Sequence, residues 1–469
     1  MHSRLFWNRR GRPMFACRQK GAFRMGQKSN QLFPTFGKLF SRIPDEFYPS
    51  CAFWLTEAFV CLLLAEQILR LYFNCSVYIF AYPCFGSLFI LFCLLRIGSR
   101  LYLDGVGSFS KPTVTEGALL FLLLWCGVAT IFSADPMYSL MGSPYRHEGF
   151  FTYLIYAAVI FTTRMICSER HRKILLWTLG ITGCYLGVFT VLQSEASLRW
   201  LLIAIDIHPG RERITAYSAV FSNKNHFAYF LTMTSLALAG ITLTSTRKRA
   251  VWSALALYAV SLAVMMRNNS LGAIAAVTLG LVFLFILVLI RDKKQYKLCL
   301  ALLAVHILIF VFLQHGTATI MSDIGGAYGA VKGDASANLS SSIRLSMWTQ
   351  TIGHIFENPI FGVGLEGGGI ISFVDGNDRP HNEYLQYALH TGIPGAVAYL
   401  TALFSLFISC IKNFKRLSSN TLILGAMVFG YCVSAFVGNT MYYTTVYFAM
   451  LLGMLIGSNS RLLSGSTAS

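Results

Sequence analysis

Twelve runs of predominantly apolar residues, each 17 residues or longer, punctuate the chain near 51–70, 77–96, 117–133, 149–167, 174–193, 226–245, 250–266, 271–290, 298–314, 392–411, 421–437 and 441–458. Each run is the length one helix needs to cross roughly 30 Å of hydrocarbon. Lipid offers backbone amides no water partner, so runs of this length without strand-like alternation are expected to be helices that satisfy their own hydrogen bonds. The predicted fold class is therefore all-α and polytopic, with about 12 transmembrane helices.

Composition agrees with this reading. The chain is 55% hydrophobic with only 12% charged residues, and its mean hydropathy is +0.58. That charge content is about half the usual share for a soluble domain, which excludes an ordinary soluble enzyme, a disordered chain and a disulfide scaffold. The net charge of +18 comes from 38 Lys and Arg, and it follows topology. With a cytoplasmic amino terminus, 28 of those 38 fall on the inside, so the positive-inside rule puts both termini in the cytoplasm. Arg247-Lys248-Arg249 and Arg291, Lys293 and Lys294 are the clearest anchors, and no nucleic-acid partner is needed to explain the charge.

The expected organisation runs in five parts. Residues 1–50 form a basic cytoplasmic extension without a signal-peptide core. Residues 51–314 hold helices one to nine, residues 315–391 a large extracytoplasmic loop, residues 392–458 helices ten to twelve, and residues 459–469 a cytoplasmic tail. The 12 Cys lie mostly in spans or on the inside, with Cys75 in an outer loop, so neither a disulfide framework nor a Cys-ligated metal is expected.

Two outer segments are long enough to carry function: residues 194–225 and the loop 315–391. Within the latter, Ile343, Met347, Trp348, Ile352, Ile355 and Phe356 recur at helical spacing, which predicts an amphipathic helix lying on the membrane or over a cavity. A further helix is expected to start near Pro380 and His381 and run into the tenth span. Arg211, Arg213, Lys224, Arg267 and Arg344 sit at or just outside span ends on the outer side. Cations at a half-dehydrated boundary call for an anion, and Arg offers bidentate contacts to phosphate. Headgroup snorkelling, or pairing with Asp206 and Glu212, is the plainer alternative. His381, in the polar run Arg379-Pro380-His381-Asn382-Glu383-Tyr384, is placed to take a proton from a hydroxyl or to hydrogen-bond a phosphate. His147 with Glu148 has weaker claims. No HExxH, CxxC or phosphate-cradling glycine loop is present, so no metal or cofactor is expected. Asp375-Gly376-Asn377-Asp378 lacks the later Glu of a calcium loop.

An ordered set of motifs adds a resemblance. Arg344-Leu345-Ser346-Met347-Trp348, Asn358-Pro359-Ile360-Phe361-Gly362-Val363-Gly364, His381-Asn382-Glu383-Tyr384-Leu385 and Gly392-Ile393-Pro394-Gly395 together resemble the signature of the O-antigen ligase and polymerase superfamily. Asn223-Lys224-Asn225, opening a span, resembles that family's Asn-x-Asn segment, and Gly142 to Gly149 resembles an upstream motif. The resemblance covers roughly residues 140–400. It implies a GT-C-like membrane glycosyltransferase that moves a glycan from a polyprenyl pyrophosphate donor to a lipid or glycan acceptor, without metal or cofactor. It assigns the outer-loop His to His381 and the key Arg to Arg213, with Arg211 beside it. Arg267, Arg344, Asn223, Lys224, Asn225 and Asn382 are the further substrate-binding candidates. Where many members have Ser-Arg-Gly, this chain reads Ser270-Leu271-Gly272, and Arg267, one helical turn earlier, is the expected substitute. A ligase is the first reading and a polymerase of the same family the second. A lipid-linked glycan flippase is the rival from another class. It calls for charged or strongly polar residues deep in mid-span, of which few are found beyond Glu57, Glu66 and Gln67.

Overall fold

The computed structural model describes residues 43–73, 76–109, 111–144, 146–204, 217–221, 223–313, 339–369, 373 and 379–464. Most of the basic extension, Arg211, Arg213, Asp206, Glu212 and the Asp375–Asp378 stretch lie outside the described residues. The chain divides into two units, residues 45–95 with 111–469 and residues 1–44 with 96–110. The described part of the smaller unit comprises the end of one helix and a short 3-10 turn, Val106–Ser108.

Among the described residues there is no strand. The helices are α1 Phe47–Phe73, α2 Tyr78–Leu103, α3 Val114–Ile131, α4 Pro136–Met141, α5 Phe150–Arg164, α6 Glu169–Ser194, α7 Arg199–Ile203, α8 Lys224–Thr244, α9 Lys248–Asn268, α10 Leu271–Arg291, α11 Tyr296–Leu313, α12 Leu339–Glu357, α13 Glu383–Lys412, α14 Ser419–Ser434 and α15 Thr445–Ser464. Ten of the described helical segments are long and apolar enough to cross a membrane, and Phe150–Arg164 and Thr445–Ser460 are shorter apolar helices. Together these twelve coincide with the twelve apolar runs. The protein is an all-α polytopic membrane protein.

The bundle is organised around α8, whose apolar stretch is 94% buried. It packs against α6, α9, α10 and α14. Its own small residues and glycine notches on its neighbours let backbones approach closely, as transmembrane helices require. Gly183 on α6 faces Thr234, while Gly280 on α10 and Gly430 on α14 both receive Leu236. Ser235 and Ser261 share a 2.7 Å hydrogen bond between α8 and α9. His306, inside α11, is held on both ring nitrogens, by the Tyr258 hydroxyl (2.8 Å) and the Thr278 hydroxyl (3.1 Å), so it pins that helix to the bundle.

α13 is two helices joined by a break. Gly392 has φ of 68°, outside helical space, and Pro394 brings no N–H to the ladder. Backbone groups at this break find partners outside the helix. Val363 N–H donates to Leu389 O (2.9 Å) and Gly364 N–H to His390 O (3.1 Å), and Ile393 N–H donates to Pro359 O (2.8 Å). The Trp125 indole donates to Thr391 O (2.9 Å). The Asn358–Gly364 motif therefore docks across the break marked by Gly392-Ile393-Pro394-Gly395. At this crossing a Cβ on Gly362 or Gly392 would strike the opposing backbone.

Candidate functional site

Three backbone segments meet where α5, α8 and α13 begin: residues 146–149, 364–367 and 379–382. Their meeting point is a buried charge network. The Arg379 guanidinium is 4% exposed and donates to Glu366 Oε1 (2.5 Å) and to Thr440 O (2.6 Å). Glu366 also accepts the Glu148 backbone N–H (3.1 Å), and the Arg146 guanidinium lies 3.9 Å from its second oxygen. The Tyr156 hydroxyl donates to Glu148 Oε1 (2.5 Å). Gln386 on α13 donates to the Thr440 hydroxyl (2.6 Å) and accepts the Thr440 N–H (3.2 Å), so the α14–α15 connection joins the same network. Buried charges persist only when paired and hydrogen-bonded, and here two guanidinium groups face two carboxyls.

Burial pushes the Glu148 carboxyl up to about 7, against the pull of Arg379 and the Tyr156 hydroxyl. Burial also lowers the His147 imidazole, opposed by the charge of Glu366. His147, Glu366 and His381 have φ of 51°, 60° and 51°, the left-handed region that residues with a Cβ seldom occupy. One such residue in each converging segment marks the place where the fold holds backbone in costly conformations.

His381 sits at the mouth of this network. Its Nδ1 lies 3.3 Å from the Asn439 side-chain nitrogen. Pro380, just before it, accepts the Trp348 indole N–H (2.8 Å), which fastens α12 to the His381 turn. His226, in the first turn of α8, lies within electrostatic reach of Arg379, His381 and Arg146. Four cationic or imidazole groups from three segments therefore converge at one end of the bundle. Among the described residues no group of His, Cys, Asp and Glu is arranged to hold a metal ion.

The other described residues named from sequence fall around this centre, while Arg211 and Arg213 lie outside the described residues. Asn382 is buried and caps α13, its Oδ1 accepting from Tyr384 N (3.0 Å) and Leu385 N (3.1 Å), so that oxygen is committed to the helix. Asn223 is exposed and caps α8 in the same way, accepting from Asn225 N (2.8 Å). Asn225 accepts from the Ser270 hydroxyl (3.1 Å), and the Asn268 amide donates to Lys224 O (3.0 Å), so the Asn-x-Asn segment is stitched to the α9–α10 turn. Arg267, in the last turn of α9, pairs with Glu195 at 3.7 Å. That glutamate also accepts from the Tyr217 hydroxyl (2.5 Å), and burial together with Glu195 pushes the phenol up to about 12. Lys224 and Arg344 are exposed, and Arg344 lies within electrostatic reach of Tyr229 on α8. The amphipathic helix appears as α12, but its apolar face is divided. Met347 and Ile355 pack with Val363, Phe373 and Leu389, whereas Ile352 and Phe356 remain exposed.

Sequence reasoning ranked Glu148 low and did not single out Arg379, Glu366, His226 or Asn439. Two signals were available. Glu366 is the one charge in a glycine-rich stretch, and Arg379 directly precedes Pro380-His381.

Residues 233–400 match the family model described as O-Antigen ligase. The match runs from within α8 into the second half of α13. It contains Arg267, Arg344, Glu366, Arg379, His381 and Asn382; Arg146, Glu148, Arg211, Arg213 and Asn223–Asn225 precede it. Comparison with curated proteins returns no match.

Proposed function

We propose that this chain, whose residues 233–400 match the O-antigen ligase family, is a membrane glycosyltransferase that moves a glycan from a polyprenyl diphosphate to an acceptor hydroxyl. The observation that carries this reading is the convergence of Arg146, Arg379, His226 and His381 at one end of a lipid-embedded bundle. Such a cluster at the end of the spanning helices suits an anionic group such as a diphosphate.

In the transfer, the acceptor oxygen bonds to the anomeric carbon while the bond from that carbon to the diphosphate oxygen breaks. The electron pair leaves with the diphosphate, and the hydroxyl proton is passed on to that anion. Groups that stabilise the departing charge more than the intact donor accelerate the step. His381 is one of these. With the Asn439 amide donating to Nδ1, the imidazole keeps its proton on Nε2 and offers it to a diphosphate oxygen. Arg146, about a quarter exposed and 3.9 Å from Glu366, is a second donor. Arg379 is spent on Glu366 and Thr440 and acts as a positioning residue for the His381 turn. Arg213 and Arg211 keep the role of stabilising the leaving diphosphate that the family resemblance assigns them, with Arg267 at the rim.

Helix alternation puts Arg247–Arg249, Lys293 and Lys294 at the end of the bundle opposite His381. This supports an extracytoplasmic site in a cytoplasmic membrane, with both termini inside. The test is reconstitution of the purified protein with a polyprenyl diphosphate glycan and candidate acceptors. The expected result is a glycosylated acceptor and free polyprenyl diphosphate. Movement of the intact lipid-linked glycan across the bilayer without bond cleavage would make it a flippase instead.

A further inference from the structure

The opposite end of the bundle carries a second feature. α5 begins beside Glu148 and ends at Arg164, and α13 begins beside His381 and ends at Lys412. The helices that follow them, α6 and α14, therefore start at the far end from the site. There the Asn420 amide donates to Glu169 O (3.1 Å) and to Glu169 Oε2 (2.7 Å), holding the two helix starts together. An open groove of about 540 Å³ runs from that junction down one face of α6, from Glu169, Arg170 and Lys173 through Ile174, Trp177 and Thr178 to Ile181, with Asn420 at its mouth.

The charges at the mouth do not cancel. Glu169 is engaged by Arg172 (2.5 Å) as well as by Asn420, so its charge is matched. Arg170 and Lys173 are exposed, and among the described residues neither enters an ion pair. Two unmatched cations thus stand above a wall made of Ile174, Trp177 and Ile181. From Glu169 to Ile181 the helix descends about 18 Å at 1.5 Å per residue, a little more than half of the roughly 30 Å hydrocarbon core. The groove therefore has a cationic lip at headgroup height and a mainly apolar floor reaching the depth of one leaflet, its one polar lining side chain there, Thr178, being engaged by Glu57.

We propose that this groove binds one anionic phospholipid, its phosphate held between Arg170 and Lys173 and one acyl chain laid along Ile174, Trp177 and Ile181. A zwitterionic lipid brings its own cation to the same lip and loses most of the attraction. The site is separated from the His381 cluster by the thickness of the bundle, so its occupant does not compete with a substrate held there.

Trp177 provides the readout. Full-length protein is reconstituted in phosphatidylcholine vesicles, and brominated phosphatidylglycerol or brominated phosphatidylcholine is titrated in. The Trp177 signal is taken as the difference between wild type and Trp177→Phe. Quenching by the anionic lipid is expected at roughly ten- to thirty-fold lower mole fraction than by the neutral one, about five-fold for each cation. The preference should shrink in high salt and vanish in the double variant Arg170→Gln, Lys173→Gln. Lys173→Gln alone removes one exposed charge and should cost about five-fold, which keeps the test open if the double variant inserts poorly. Equal quenching by the two lipids in the wild type would mean ordinary boundary lipid and overturn the proposal. So would a preference that survives both charge removals.

Discussion

His381 occupies a backbone conformation that costs an ordinary residue about 1–2 kcal/mol, and its neighbours hold it there: Arg379 through Glu366, Trp348 through Pro380, and Asn382 through the start of α13. If its role is to donate from Nε2 to the departing diphosphate, His381→Ala should lower turnover about 10²- to 10³-fold with little change in melting temperature. His381→Gln, which keeps a donor, should recover part of that loss; a general base would not be rescued this way. Asn439→Asp should draw the imidazole proton from Nε2 onto Nδ1 and shift the pH profile of turnover, whereas Asn439→Ala should not introduce a new ionisation. Glu148 gives a separate test. Its folded carboxyl titrates near 7 instead of the usual carboxylate range, so the folded state binds its proton more tightly than the unfolded chain. That contribution is complete at low pH and is lost as pH rises toward and through 7. The melting temperature of wild type relative to Glu148→Gln should therefore fall between pH 5 and pH 8, and a flat difference would show that Glu148 does not titrate there. His147 acts in the opposite direction, since its lowered imidazole makes acidification the destabilising change. Comparing Glu148→Gln with His147→Gln within one pH series separates these slopes.

At the scale of elements, the break in α13 is the feature most exposed to a single substitution. Gly392→Ala adds a Cβ at φ of 68° directly against the Ile360 carbonyl. It should lower stability by about 1–2 kcal/mol from the backbone alone, and by more once the docked loop shifts. Gly353→Ala is the control. Gly353 lies in α12 with nothing near its missing Cβ, so the change should leave stability equal or raise it by up to about 1 kcal/mol. Loss of the Asn382 cap by Asn382→Ala should cost about 1 kcal/mol and slow turnover further by loosening the His381 turn, a split that thermal melts and kinetics together resolve. The helices themselves were legible in advance, because the lipid requirement writes each one as an apolar run. The break was legible only as the letters Gly392-Ile393-Pro394-Gly395. That these residues accept the loop 358–364 is a long-range pairing with no local signal.

Across the whole molecule, the same division between local and long-range information governs the site. His381 stood out because it is a polar residue just before a span. Arg379, Glu366 and Glu148 did not, since isolated charges in connecting segments look solvated until folding buries them against one another. Removing one partner should expose that dependence. Arg379→Ala leaves Glu366 without its closest cation and should cost about 3–5 kcal/mol, whereas Arg379→Lys should restore part of the stability but less of the activity, because a point charge cannot donate to both Glu366 and Thr440 from one fixed plane. The measurement that bears most directly on the account is release of polyprenyl diphosphate from a lipid-linked glycan by the purified protein in a single turnover. The account predicts one diphosphate lipid freed per glycan transferred by the wild type, and release slowed at least 100-fold in His381→Ala. Wild-type release by that variant, or disappearance of the donor with its glycosyl bond intact, would contradict it.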